Sequence, residues 1–165
     1  MDLKQFKELF NPLPGNQYIQ VTSSIDAITD TLYALMQSVG GELSIAYYDE
    51  SLENPLELKR FVDAKVQHIT NFVHPFRALP RDHDMVILKD IFSKHHKPEL
   101  LLTTSYKTLA NTAHIIIMEK KDILDTYATQ ELLEKFEYRA PNTLDILEGY
   151  DIVIGKKMHM WGNGL

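Results

Sequence analysis

The chain contains no cysteine. Disulfides, thiolate nucleophiles and cysteine metal sites are therefore excluded, and the redox compartment stays open. Long apolar runs are missing too. No stretch approaches the ~20 residues that a membrane-spanning helix needs. Glycine and proline are sparse, at 7 each in 165 residues. No Walker loop and no G-x-S-x-G elbow occurs, so P-loop hydrolysis and elbow-type serine chemistry have no support. Basic residues are the minority, with 17 Lys and Arg against 23 Asp and Glu and a net charge of −6. That balance speaks against a broad nucleic-acid surface. The first ten residues mix Asp2, Lys4, Lys7 and Glu8 with apolar ones. This is unlike a signal peptide, and a cytoplasmic protein is the expectation.

What is present is ordinary for a globular chain. Hydrophobic residues make up 44% and charged residues 24%, too apolar for disorder. The length suits one domain over residues 1–165. Residues 1–16 are expected to form an N-terminal helix and turn, and residues 158–165 a C-terminal tail. A domain of this size buries roughly two-thirds of its unfolded surface and needs no covalent staple.

The spacing of apolar residues predicts alternating strands and helices. Leu3, Phe6, Leu9 and Phe10 suit a short amphipathic helix, broken by Pro12, Pro14 and Gly15. Residues 17–22 predict a first strand. A helix follows at once, with Ile25, Ile28, Leu32, Leu35, Met36 and Val39 on one face. Ser23 and Asp26 at its start resemble a capping box, and Gly40-Gly41 is a stop. Further strands are expected over 43–48, 66–73, 84–88 and 113–118. The runs Met85-Val86-Ile87-Leu88 and Ile115-Ile116-Ile117 are continuous rather than alternating, as in strands buried on both faces. Helices are expected over 55–64, from Pro98 to about residue 110, and over 128–136. Two last strands, 143–147 and 150–156, are joined by the short Glu148-Gly149 link and predict an antiparallel pair. The whole predicts an α/β fold, a Rossmann-like three-layer sandwich. Its sheet has about seven strands, mostly parallel, with an antiparallel C-terminal strand and helices on both faces.

This order resembles the class I S-adenosylmethionine-dependent methyltransferases over about residues 17–157. The most specific part is the Leu79-Pro80 turn, then Asp84 opening a strand, then a helix and an apolar strand ending at Glu119. The resemblance implies S-adenosylmethionine as cofactor and an unidentified small molecule as methyl acceptor. It also assigns places. A G-x-G-x-G loop should follow the first strand, because the backbone must approach the cofactor closely there. This chain has Thr22-Ser23-Ser24-Ile25-Asp26 instead. The serine hydroxyls could donate to the methionyl carboxylate, or Ser23 and Asp26 could simply cap the helix. Asp49, with Glu50 behind it, stands where the family holds both ribose hydroxyls, a task for an acceptor-only carboxylate. Where the family has an acid for the adenine amino group, this chain has His74-Pro75. Phe72 or Phe76 could flank the ring by stacking. Lys89, Asp90 and His95 lie where the family faces the transferred methyl, and are the candidate bases. The Asn/Asp-Pro-Pro-Tyr/Phe signature of amino-group methyltransferases is absent.

Two functions follow. One is a small-molecule methyltransferase with a remodelled loop. The other is a methyltransferase-like binding or scaffold domain that has lost the cofactor. The seven histidines do not have helical metal-pair spacing, so no metal is expected. Lys94-His95-His96-Lys97 is a small basic patch, either solvated or facing an acidic substrate. Met158, Met160 and Trp161 are expected to dock on the domain or on a second copy, which leaves a homodimer open.

Overall fold

Seven strands form one sheet in the computed structural model, which describes residues 1–53 and 55–158. The strands are β1 (Gln17–Thr22), β2 (Glu42–Tyr48), β3 (Lys65–Ile69), β4 (His83–Lys89), β5 (Leu109–Lys120), β6 (Tyr138–Leu144) and β7 (Tyr150–Lys157). Their order across the sheet is β3-β2-β1-β4-β5-β7-β6. All neighbours from β3 to β5 pair in parallel. β7 runs antiparallel to both β5 and β6. The expected mostly parallel sheet with an antiparallel ending is what the chain forms. The helices are α1 (Lys4–Leu9), α2 (Ala27–Ser38), α3 (Pro98–Thr108) and α4 (Thr126–Lys135).

Side chains alternate across each strand, so the sheet supports two cores. On one face Phe6 of α1 and Phe10 just after it, with Ile28, Leu32 and Met36 of α2, cover Tyr18, Leu43, Ile45, Met85 and Ile87. On the other, Leu101 and Leu102 of α3 and Leu133 of α4 cover Ile19, Val21, Val86, Leu88, Ile115 and Ile117. The continuous apolar runs of β4 and β5 thus supply both faces at once.

Several boundaries differ from the sequence expectation. The segment expected as a helix over 55–64 is a 3-10 helix at Leu56–Arg60. Only Leu58 and Phe61 turn inward there, and an i, i+3 pair matches the three-residue period. β3 stops at Ile69, because Asn71 folds a turn beyond it. The Asn71 side chain accepts from Val73 N at 3.0 Å and its carbonyl from His74 N at 3.1 Å. α2 is capped by Asp26 alone, whose carboxylate accepts from Ile28 N at 2.9 Å. Ser23 takes no part in the cap. β6 begins at Tyr138 rather than near residue 143. It is an edge strand with a register shift between Arg139 and Asn142, and an edge needs little apolar sequence. Pro141 sits in that irregular stretch, where a missing N–H costs no ladder bond. β5 begins at Leu109, directly after α3.

Between β3 and β4 there is no helix. Residues 70–82 form a pinned loop instead. Gln67 receives Arg77 N at 2.8 Å and donates to Arg77 O at 2.7 Å. Arg81 N and Asp82 N donate to Lys107 O and Thr108 O at 2.8 and 3.0 Å. Phe76 anchors the loop in the core at 2% exposure.

Candidate functional site

In open parallel sheets the ligand crevice lies beyond the C-terminal strand ends, where the strand order reverses. Here that point lies between β1 and β4. β1 ends at Thr22 and β4 at Lys89, which are register partners. The loop 23–26 must span from β1 to α2, and it does so without left-handed backbone: among the described residues, none from 22 to 26 has positive φ. Thr22 Oγ1 braces it, donating to Ser24 O at 2.7 Å and receiving Ser24 N at 3.0 Å.

The space between the two strand ends holds the Lys89 side chain, which is fully buried. Its ammonium lies 3.0 Å from Asp26 Oδ2 and 3.0 Å from Asp90 Oδ2. It also donates to Ser24 Oγ at 2.6 Å and Ser24 O at 3.1 Å. Asp90 Oδ2 accepts further from Ser24 Oγ at 2.8 Å and Tyr150 Oη at 3.0 Å. Burial tends to raise the Asp90 pKa, but Lys89 and these donors outweigh it and hold the carboxyl below the ordinary range. Burial and the Asp90 charge push the Tyr150 phenol well up, so it is a donor. Asp90 has φ 54, a left-handed conformation that costs energy for most residues other than glycine. Its carbonyl accepts from Ser23 Oγ, and Lys94 Nζ donates to the same hydroxyl at 3.1 Å. Beside this cluster, Glu119 is buried, with its carboxyl raised by burial. Ser93 N and Oγ both donate to its Oε1 at 2.9 Å.

The other candidates make no hydrogen bond or ion pair with Lys89 among the described residues. Asp49 is half-buried just past β2, and Glu50 is exposed. The Asp49 carboxylate accepts from Ser51 N at 3.4 Å, and its carbonyl meets His68 Nε2 at 3.1 Å. His74 is exposed, yet its carbonyl ties two buried rings. Tyr48 Oη donates to it at 2.5 Å and His95 Nε2 at 2.8 Å. His95 Nδ1 accepts from Lys97 N at 2.9 Å, so the ring is the neutral Nε2–H tautomer. Burial lowers its pKa to match. Phe76 is core, while Phe72 packs beside Tyr48 with ring centroids 5.5 Å apart. Ile25 and Tyr47 are half-buried against the α2-side core. His114 is half-buried on β5 with its pKa lowered by burial.

The structure therefore joins Thr22, Ser23, Ser24, Lys89 and Asp90 in one hydrogen-bonded network, and among the described residues no hydrogen bond or ion pair links the side chains of Asp49, Glu50, His74, Phe76 or His95 to it. Tyr150 was not legible as a member. It is sixty residues from Asp90 in sequence, and only the insertion of β7 beside β5 brings it there. Among the described residues, no group of three or more His, Asp or Glu side chains could hold a metal, and no helix is long and apolar enough to cross a membrane. Met158 is 40% exposed. Met160 and Trp161 lie outside the described residues.

No family model matches the chain, and no curated protein matches it by sequence. Solved structures do match by shape. A SAM-dependent methyltransferase from Aquifex aeolicus is 12% identical with TM-score 0.69, over 94% of this chain and 89% of that one. Haemonchus contortus phosphoethanolamine N-methyltransferase 2, in complex with S-adenosyl-L-methionine, is 7% identical with TM-score 0.73, over 95% and 52%. The CurJ carbon methyltransferase is 11% identical with TM-score 0.71, over 92% and 51%. The chain thus spans nearly the whole length of the first but about half the length of the other two. Identities this low carry the fold and no more. On the strand order, the two helical layers and these likenesses, the chain has the Rossmann-like fold of the class I S-adenosylmethionine-dependent methyltransferases.

Proposed function

We propose that this chain is a methyltransferase-fold binding or scaffold domain that does not take S-adenosylmethionine. One observation carries this reading: the buried Lys89 ammonium between the ends of β1 and β4, with Asp26, Asp90 and Ser24 as its partners. The cofactor's methionyl end would need that space and would bring a sulfonium and an ammonium of its own. Entry of that end would set its cations against the Lys89 ammonium, or would need Lys89 to leave Asp26 and Asp90. Breaking a buried ion pair costs about 3–5 kcal/mol. The loop supports the same reading. Its side chains are spent on each other and on Lys89, and its N-terminal end already carries the capping carboxylate of Asp26. A fixed anion there discourages a second one. The residues present do not fit the group.

One observation favours the alternative, a small-molecule methyltransferase. Asp49 stands half-buried past β2, and its carboxylate accepts a single long hydrogen bond among the described residues. Titration calorimetry with S-adenosylmethionine and S-adenosylhomocysteine separates the two. The expected result is no binding at millimolar ligand. Micromolar binding, about 8 kcal/mol, that weakens in Asp49→Ala would overturn the proposal.

A further inference from the structure

At the opposite, N-terminal end of the same strands lies a cavity of about 200 Å³. It exists because residues 70–82 cross the sheet as a loop and leave the starts of β2, β3 and β4 thinly covered. Its wall includes Glu42, Ser44, Lys65, Arg77, Asp82 and His83. Lys65 and Glu42 neutralise each other at 3.1 Å. Arg77 and Asp82 are different. Neither the guanidinium nor the carboxylate has a hydrogen-bond or ion-pair partner among the described residues, yet both line one small space. His83 is 5% exposed, and neither ring nitrogen has a partner. Ser44 Oγ is likewise unpaired among the described residues. Buried polar groups are normally hydrogen-bonded, so an unsatisfied ring in a cavity wall calls for an explanation.

We propose that this cavity binds a small zwitterion of the α-amino-acid class, its carboxylate on Arg77 and its ammonium on Asp82. The cation and anion of the wall that have no ion-pair partner among the described residues match the two charges of such a ligand, and a planar guanidinium suits a carboxylate bidentately. The small volume limits the ligand's side chain. His83 and Ser44 then meet the hydrogen-bonding positions of the ligand's carboxylate and ammonium that Arg77 and Asp82 leave free. Burial keeps that ring neutral, so it offers one donor and one acceptor. The Arg77 backbone is already fixed by the two hydrogen bonds of Gln67, which lowers the ordering cost of binding. This site shares none of its residues with the Lys89 cluster, so it stands whether or not the proposed function does.

The test is titration of the full chain with glycine and alanine, followed through the His83 ring nitrogens by long-range ¹H–¹⁵N NMR. Acetate and methylammonium serve as single-charge probes. The expected result is a saturable His83 shift with glycine or alanine at millimolar concentration, and at least tenfold weaker responses to acetate and methylammonium. Arg77→Gln and Asp82→Asn, both at partly or fully exposed positions, should each weaken the glycine response at least tenfold while leaving the fold intact. No His83 shift with either amino acid overturns the proposal. So does acetate binding as tightly as glycine, which would make the cavity a carboxylate site. Retained glycine binding in both variants would also overturn it.

Discussion

At the residue scale, two buried lysines show how context sets a role. Lys157 donates to Tyr106 O at 2.7 Å and Leu109 O at 2.8 Å, and its ammonium lies 4.8 Å from the Tyr106 ring centroid. It closes the end of α3, where helix carbonyls lack partners. With no carboxylate paired to it among the described residues, burial lowers its pKa. Lys89 instead faces two carboxylates. The consequence of removing it follows from Asp90, which would be left charged and almost fully buried. Lys89→Met should cost about 3–5 kcal/mol in urea denaturation. Lys89→Met/Asp90→Asn should recover part of that loss by removing the stranded charge. Equal stability of the single variant and the parent would mean that the pair contributes nothing net.

At the scale of elements, the turn from α2 to β2 is the most tightly specified. Gly40 takes φ 61, and Gly41 N donates to Met36 O at 2.8 Å while Gly40 N points to Gln37 O at 3.4 Å. These two bonds are a Schellman ending, which satisfies the last carbonyls of α2. Gly41 is needed for another reason. A Cβ there would collide with the Asn16 carbonyl oxygen, which accepts from Glu42 N at 2.9 Å and starts the β1–β2 ladder. Backbone cannot step aside cheaply. Gly41→Ala should therefore destabilise by roughly 1–3 kcal/mol, read as a lower urea midpoint with unchanged slope. Gly149→Ala has open space around the new Cβ and should lose only the smaller cost of its positive φ. The boundaries that the sequence misjudged have element-scale causes as well. β6 carries few apolar residues because it is paired on one side only. β3 ends where Asn71 turns the chain, a side-chain to backbone bond that apolar periodicity does not register.

At the scale of the whole molecule, burial acts on several histidines in one direction. His83, His95 and His114 all have pKa values lowered from 6.5, in each case chiefly by desolvation. Each ring binds a proton more weakly folded than unfolded. As the pH falls through about 6.5 the unfolded chain takes up more protons and is favoured. Glu119 opposes this lower down, because its raised carboxyl pKa adds stability as the pH drops toward the ordinary carboxyl range. The melting temperature should therefore decline between about pH 7.5 and about pH 5.5, with a smaller decline in His83→Gln. A flat profile over that interval would show that these rings are not held neutral.

The alternation of strands and helices is legible in the order of residues, because apolar periodicity is local and each element must bury a face. The double-sided burial of β4 and β5 is legible in their unbroken apolar runs, and the antiparallel ending in the short link before Tyr150. The absence of glycine from the first loop is plain there too. What stands in glycine's place depends on the folded chain. Lys89 meets Asp26 across 63 positions of sequence, and Tyr150 meets Asp90 across sixty. Nothing in local spacing encodes such contacts. The same holds for the cavity at the other end of the strands. Arg77, Asp82, His83 and Ser44 share it only because the parallel sheet brings the starts of β2, β3 and β4 to one end, where the 70–82 loop crosses them. Periodicity specifies which face a residue takes, while the pairing of distant strands specifies which charges it meets.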